Sequence, residues 1–333
     1  MLKKVLNYFR NIITLTFCFN PLIAIKLLIF PLFQKDMPAY ERFENKHKTI
    51  KKYLKKRYKR FISEHKDKYN TVNSSFAEQY PIWFMWWHGE DQMPPIVDIC
   101  YKTVKQFSRD HTVNLITKEN FLDYVCIPDY IMDKSQKGKI SLTHLSDVIR
   151  MCLLYQHGGL WLDSTVLLTQ PLPPLPEISA HLGFWTPKDD GKILETCFGA
   201  KNWIVRENKW LTFCLYTSKG NILPEFVRSM FFAYFKKKSV MIDYFLFDYF
   251  ISIAYDAFPQ VRKMIDSVPD NNSKIHELFH RLELNSEYNS VLFGEICSNT
   301  FFHKLNWKEE YNEYTINKKL TNYGYITNHF PPK

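Results

Sequence analysis

The stretch of sequence that decides the fold is ISLTHLSDVIRMCLLYQHGGLWLDSTV, residues 140–166. Apolar residues recur there at spacings of three and four, which predicts a helix from Ile140 to His157. Gly158 and Gly159 end this helix, and residues 160–162 then predict a short buried strand. Asp163 stands where that strand ends. Ligands of open α/β sheets bind beyond the carboxyl ends of strands, so Asp163 is a candidate site residue.

The predicted helix also has a polar face. Thr143, Asp147 and Arg150 fall at i, i+4 and i+7, so the three side chains project from one side. An Asp–Arg pair at this spacing is usually a surface ion pair. Beside a strand-end aspartate it favours a binding site instead.

The flanking sequence predicts the rest of the sheet. Residues 81–87, PIWFMWW, are almost wholly apolar, as is typical of a strand buried on both faces of a parallel sheet. Residues 94–107 predict a helix that a proline begins, and residues 111–116 alternate as a second strand. The order strand, helix, strand predicts an α/β layer fold.

A further aromatic helix is predicted over residues 241–258, and it includes Asp243 and Asp248. Carboxylates in apolar surroundings must be paired, ligated or protonated. We therefore expect at least one of the two in a site or in a structural network.

The positive charge of the chain is concentrated near its N-terminus. The formal net charge of the 333 residues is +10, and the run KHKTIKKYLKKRYKR at 46–60 follows an apolar stretch at 11–33. This order predicts attachment to an anionic membrane surface. Asn20, Pro21 and Lys26 interrupt the apolar stretch, which favours an interfacial segment. A membrane span, a signal peptide and ordinary core helices are the alternatives.

Composition predicts two regions and excludes some classes of protein. The polar residues 70–75 suggest a linker, which divides a membrane-associating apolar and basic region, 1–75, from a folded domain, 76–333. The seven cysteines include no CxxC pair, which argues against a disulfide framework or a zinc knuckle. A basic nucleic-acid-binding or membrane-scaffold protein is the alternative class.

The chain resembles the capsular polysaccharide synthesis proteins of glycosyltransferase family 32, which are related to a group of mannosyltransferases and, more distantly, to the clostridial glucosylating toxins. The resemblance covers about residues 81–308. It rests on four motifs in order: PIWFMWWHG (81–89), the stretch 140–166, DYFLFDY (243–249) and FFHKLNWK (301–308). It implies a GT-A fold, a Rossmann-like mixed sheet flanked by helices, here with an N-terminal helical extension.

The resemblance also implies roles for particular residues. Trp86 matches the aromatic residue that stacks on the base, and Trp161 matches one near the uridine. Asp147 and Arg150 match a pair that contacts the donor sugar and phosphate. Asp163 matches the first acid of the metal-binding Asp-x-Asp motif. The implied catalytic residues are Asp163 and Arg150, and we add Asp248 as a third candidate.

The second acid of that motif is replaced by Thr165. A hydroxyl is a much weaker ligand for a hard cation than a carboxylate, so a metal at this site must rely on other groups or bind more loosely. The resemblance implies Mn²⁺ or Mg²⁺ at Asp163, with His303 as a further ligand. Lys308 is the candidate for neutralising phosphate charge.

The implied activity is transfer of a hexose from a nucleotide-diphosphate sugar, a UDP-sugar by the resemblance, with retention at the anomeric carbon. Together with the N-terminal region, this predicts a polyprenyl-linked glycan acceptor at the cytoplasmic face of a bacterial cell membrane, in capsular or exopolysaccharide synthesis. The expected partners are donor, acceptor and anionic membrane surface, and no nucleic acid. An acceptor that is a protein or a soluble glycan is the alternative. The sugar and linkage depend on pocket shape, which motifs do not specify.

Overall fold

The computed structural model of the chain describes residues 12–29, 37–68, 77–188, 209–280 and 283–330. Within these residues the strands are β1 (Ile82–Met85), β2 (Val113–Ile116), β3 (Gly159–Leu162), β4 (Val166–Leu168), β5 (Phe184–Trp185), β6 (Cys214–Thr217) and β7 (Phe302–Lys304).

The same residues also form helices, beginning with a helical segment at 12–18. The helices that follow it are α1 (Pro21–Ala24), α2 (Ala39–Arg57), α3 (Lys59–Lys68), α4 (Pro95–Phe107), α5 (Phe121–Tyr124), α6 (Asp129–Gln136), α7 (Leu142–His157), α8 (Glu177–Leu182), α9 (Ile222–Lys237), α10 (Leu246–Ala257), α11 (Pro259–Asp266), α12 (Glu277–His280), α13 (Ser290–Cys297) and α14 (Asn322–His329). A π-helical turn, Ile25–Ile29, continues α1, and a 3₁₀ turn, Glu90–Gln92, follows β1.

Five strands form a mixed sheet in the order β2-β1-β3-β6-β5. β1 is parallel to both β2 and β3, whereas β6 is antiparallel to β3 and to β5. Phe84 is in register with Leu162, so β1 and β3 end at the same edge of the sheet. The predicted fold class, an α/β fold with a Rossmann-like mixed sheet flanked by helices, is confirmed.

A second, two-stranded sheet carries the C-terminal part of the chain to that edge. β4 and β7 are antiparallel, with Val166 opposite Lys304 and Leu167 opposite His303. The backbone N–H of Leu305 also donates to the carbonyl of Thr165, at 2.8 Å. The segment after Asp163 is thereby joined to residues far along the chain.

The predicted helix over residues 140–157 is observed as α7. Ser141 is its N-cap, and its hydroxyl accepts from the backbone N–H of His144. The helix predicted over residues 241–258 is observed only over Leu246–Ala257, because α10 begins at Leu246. The Asp243 carboxylate accepts from the backbone N–H of Phe245 at 3.0 Å, which favours a turn over a helix there.

The Gly158-Gly159 pair is required by the packing between α7 and the sheet. Both residues have positive φ, 69° and 99°. A Cβ atom on Gly159 would lie 2.1 Å from the carbonyl oxygen of Pro81, and one on Gly158 would lie 2.5 Å from the backbone nitrogen of Lys219. Only glycine lets β3 approach the chain before β1 this closely.

Much of the basic N-terminal run belongs to the folded body. Ile50 and Leu54 of α2 are completely buried in the hydrophobic core, where α2 packs on α10. Lys46 pairs with Asp243 at 2.6 Å. Lys51 and Lys55 both pair with Asp256, at 2.9 and 3.0 Å.

Two predictions about this region are not decided by the fold. The boundary predicted at residue 75 lies within residues 69–76, outside the described part of the chain. In the ranges that the structure describes, no helix has both the length and the apolar character needed to cross a membrane.

Candidate functional site

A cavity of about 690 Å³ opens at the carboxyl ends of β1 and β3. Its walls are residues 85–88 after β1, the start and polar face of α7, residues 163–165 and residues 304–308. Trp86, Arg150, Trp161, Asp163, Thr165 and Lys308, all candidates from the sequence, line it.

Asp163 is the centre of a hydrogen-bond network in this cavity. Its Oδ1 accepts from Arg150 Nη2 at 2.9 Å and from the indole N–H of Trp161 at 2.8 Å. Its Oδ2 accepts from Lys304 Nζ at 3.1 Å. Although burial alone would raise its pKa, the ammonium of Lys304 and the guanidinium of Arg150 lower the pKa of Asp163 to about 2. The carboxyl group is therefore ionised at neutral pH.

Lys304 is a site residue that the sequence analysis did not predict. Its Nζ also donates to the hydroxyl of Thr165, at 2.7 Å. The register of β4 and β7 places it there, because Val166 lies opposite it. Its position inside the FFHKLNWK motif was the available signal, but nothing in the sequence says which residue of the motif faces the cavity.

His303 lies on the other side of β7 from Lys304, because successive side chains of a strand point to opposite faces. It is completely buried, and its ring contacts Thr169 Oγ1 at 3.2 Å and the carbonyl of Thr300 at 3.1 Å. Burial lowers the pKa of His303 to about 4. The structure thus places His303 in the interior and does not bring it to Asp163.

Arg150 is held rigidly at the base of the cavity. Its Nη1 donates to the carbonyl of Thr212 at 2.6 Å, and its guanidinium lies over the ring of Trp161, 4.7 Å from the centroid. Trp161 is itself 2% exposed. Both residues therefore hold Asp163 in place from below, and both also line the cavity.

Asp147 lies beside Arg150, at 3.5 Å, and outside the cavity wall. Burial raises the pKa of Asp147 to about 7 against the opposing effect of Arg150, and the carboxylates of Asp163 and Asp248 raise it further. Asp248 is buried on α10, where it accepts from the indole N–H of Trp210 at 3.1 Å. The structure therefore places Asp147 and Asp248 behind the cavity.

Two tryptophans meet at the cavity mouth. Trp86 and Trp307 are in edge-to-face contact, with ring centroids 5.7 Å apart. The Trp86 indole N–H donates to the carbonyl of Gln92 at 2.9 Å, which fixes the ring, while Trp307 is 45% exposed. Lys308 Nζ lies over the Trp307 ring, 5.8 Å from its centroid. Trp307 is the second site residue that the sequence analysis did not single out.

The remaining polar residues near the site divide between the cavity and the body. His88 lines the cavity, whereas His144 is bonded to Ser141 and His157 to the carbonyl of Tyr124. Asp243 pairs with Lys46. Asp243 and Asp248 are thus both paired within the folded body, as carboxylates in apolar surroundings must be when they are not ligated or protonated.

The residues around Asp163 do not fit a divalent cation of the Mn²⁺ or Mg²⁺ type. Such ions prefer about six oxygen ligands. Both oxygens of Asp163 and the hydroxyl of Thr165 already accept from cationic or N–H donors.

Two known proteins are similar to parts of this chain. The O-glycosyltransferase braB of Annulohypoxylon truncatum is 26% identical over 92 residues, which are 25% of this chain. The match spans only 22% of that curated relative. Among solved structures, the PaToxG glycosyltransferase superposes with a TM-score of 0.32 at 13% identity, over 74% of this chain and 92% of that one.

A family match covers far more of the chain. Residues 32–324 match the family described as capsular polysaccharide synthesis protein. The match includes α2 and the basic run together with all seven strands of the described residues. The family that the four motifs predict is therefore confirmed: the chain belongs to the capsular polysaccharide synthesis proteins.

Proposed function

We propose that this protein is a glycosyltransferase that binds a nucleotide-diphosphate sugar in the cavity at Asp163 and transfers the hexose to a glycan acceptor. One observation carries the proposal: the cavity combines cationic groups at its base, Arg150 and Lys304, with an aromatic mouth of Trp86 and Trp307. Cationic groups suit a diphosphate, and aromatic rings suit a base. A UDP-sugar, the donor that the resemblance implies, has both parts.

The chemistry requires one bond to break and one to form. The bond between the anomeric carbon and the diphosphate oxygen breaks, and its electron pair stays on the diphosphate. The acceptor hydroxyl oxygen bonds to the anomeric carbon and loses its proton. Positive groups at the departing diphosphate lower the barrier because negative charge develops there.

The cavity favours retention at the anomeric carbon. Asp163 is the only carboxylate among the described residues that line it. Burial raises the pKa of Asp163, but Lys304 and Arg150 outweigh this effect and lower the pKa to about 2. A carboxylate with so low a pKa is a poor proton acceptor. We therefore assign the acceptor's proton to the departing diphosphate, which places the acceptor on the same face of the sugar as the leaving group.

The N-terminal region supports a lipid-linked acceptor at an anionic membrane surface. Ile13, Phe17 and Leu22 are 56%, 84% and 64% exposed. Leu22 borders a groove of about 480 Å³ between residues 20–26 and α2. The basic residues of this groove are Lys26, Lys52, Lys56 and Arg57. Apolar side chains beside such a cluster suit anionic lipid headgroups.

Vesicle sedimentation tests this membrane contact. We expect Lys52→Glu/Lys56→Glu to reduce binding to vesicles that contain phosphatidylglycerol and to leave phosphatidylcholine binding unchanged. Lys319→Glu is the control, because Lys319 forms an exposed pair with Glu287 elsewhere. Deletion of residues 1–60 is a poor test, since it removes the buried Ile50 and Leu54. Equal phosphatidylglycerol binding by the wild type and the double variant would contradict the contact.

A thermal-shift screen tests the donor proposal. Nucleotides and nucleotide sugars are compared with and without Mn²⁺ or Mg²⁺, and a ligand of the folded state raises the melting temperature by mass action. We expect uridine diphosphate (UDP) and UDP-hexoses to give the largest shifts. No shift with any nucleoside diphosphate, under any metal condition, would contradict the proposal. Acceptor screening then separates lipid-linked glycans from proteins and soluble glycans.

A further inference from the structure

We infer that the ammonium group of Lys304 takes the place of a divalent cation in this site, so that the donor diphosphate binds to Lys304 directly and without metal. This inference rests on the proposed function. In this arrangement the Lys304 side chain supplies the positive charge that a metal ion commonly supplies at the family's Asp-x-Asp motif.

The first support is the position of the ammonium. Lys304 Nζ lies 3.1 Å from Asp163 Oδ2 and 2.7 Å from Thr165 Oγ1. Asp163 and Thr165 stand at the positions of the first and second acids of the Asp-x-Asp motif. The group that bridges them here is a cation, and Thr165 is a suitable partner because a neutral hydroxyl accepts from an ammonium group.

The second support is that the Lys304 ammonium group can still donate a hydrogen bond into the cavity. An ammonium group has three N–H donors. Two are used by Asp163 and Thr165, and the side chain is 25% exposed at the cavity wall. The third donor is available to a phosphate oxygen.

The third support is the charge balance. Asp163 is flanked by two cationic side chains, Arg150 and Lys304. Together, Arg150 and Lys304 carry one more unit of positive charge than Asp163 carries of negative charge. A divalent cation at Asp163 would have to displace Lys304 and would be repelled by it.

Calorimetric titration with UDP tests the inference in the full-length protein. We expect UDP to bind in excess EDTA with an affinity within about threefold of that in Mn²⁺, a difference well below 1 kcal/mol. Binding that requires Mn²⁺ overturns the inference but leaves the proposed function standing. Failure of UDP and every other nucleoside diphosphate to bind in either buffer overturns the proposed function as well.

Variants of Lys304 test whether its ammonium group supplies the positive charge that binds the diphosphate. Lys304→Ala is expected to weaken UDP binding about 10- to 100-fold in EDTA, which corresponds to one lost hydrogen bond from a charged group. Lys304→Arg is expected to recover part of this loss. Lys319→Ala, at an exposed ion pair, controls for net charge. Far-ultraviolet circular dichroism checks that each variant is folded. Wild-type affinity in a folded Lys304→Ala protein overturns the inference.

Asp163→Asn separates the two sources of charge most sharply. If Asp163 positions Lys304, the variant still binds UDP in EDTA, because Thr165 still accepts from the Lys304 ammonium and a negative charge beside the diphosphate is lost. If Asp163 holds a metal, UDP binding in Mn²⁺ is lost in the variant. Electron paramagnetic resonance of Mn²⁺ added alone to the wild type gives an independent measure. We expect no tightly bound Mn²⁺, and a stoichiometric site abolished by Asp163→Asn overturns the inference.

Discussion

Lys304 Nζ and Asp163 Oδ2 lie 3.1 Å apart, although 141 residues separate them in the sequence. The antiparallel register of β4 and β7 makes this contact possible, since it sets Lys304 opposite Val166. The ion pair joins the end of the central sheet to the C-terminal motif. The cavity therefore depends on both.

Asp147 gives the protein a characteristic pH dependence of stability. Burial raises its pKa from 3.8 to about 7 against the effect of Arg150. Between these pH values the folded state binds a proton that the unfolded state has lost, so stability falls as the pH rises toward 7. The variant Asp147→Asn has a side chain that is neutral at every pH, like the protonated form of Asp147. We expect its free energy of unfolding, relative to wild type, to rise from pH 4 to pH 7, by about 1–4 kcal/mol in total, and then to level off.

Urea denaturation at several pH values measures this difference. Asp123→Asn, at an exposed position on α5, is the matched control and is expected to show no such trend. A difference between wild type and Asp147→Asn that does not change from pH 4 to pH 8 would contradict the raised pKa.

Trp86 is expected to bind the base of the donor. Loss of a stacking ring costs about 1–3 kcal/mol per base, so Trp86→Ala should weaken UDP binding about 10- to 100-fold. Trp86→Phe should keep most of the affinity. Inorganic pyrophosphate is the control ligand because it has no base. Equal losses for UDP and pyrophosphate would show that the substitution disturbs the cavity and that Trp86 does not stack.

Gly159 is expected to tolerate no side chain. A Cβ atom would lie 2.1 Å from the Pro81 carbonyl oxygen, at a backbone φ of 99°. We expect Gly159→Ala to destabilise the fold by about 3 kcal/mol or more, through strain and displaced strands. Gly294→Ala, within α13, meets nothing within 4 Å and should be neutral or stabilising by up to about 1 kcal/mol. Similar melting temperatures for the two variants would contradict this account of the glycine pair.

The three parallel strands of the central sheet could be predicted, because β1, β3 and α7 have strong local patterns, whereas β5 and β6 were not predicted. Residues 82–85 and 159–162 are continuous apolar runs, and α7 has a clear helical stripe with a glycine stop. The edge at which Asp163 lies follows from the parallel arrangement. These features depend on residues close together in the sequence.

The C-terminal half of the site could not be predicted in the same way. Whether His303 or Lys304 faces Asp163 depends on the β4–β7 register, a contact between distant segments. Likewise, the helix predicted over residues 241–258 is shortened by a turn at Asp243, whose partner Lys46 comes from α2. Tertiary contacts decided these points.

The most direct test of the account is donor turnover in Asp163→Asn, measured as release of nucleoside diphosphate from the donor selected by the screen. The substitution removes the carboxylate that positions Lys304, and misplacement of this kind costs about 100-fold in rate. Asp266→Asn, at an exposed carboxylate paired with Lys209, is the control and should stay close to wild type. We expect a loss of about 100-fold or more for Asp163→Asn. Near-normal turnover in that variant would contradict a donor site at Asp163.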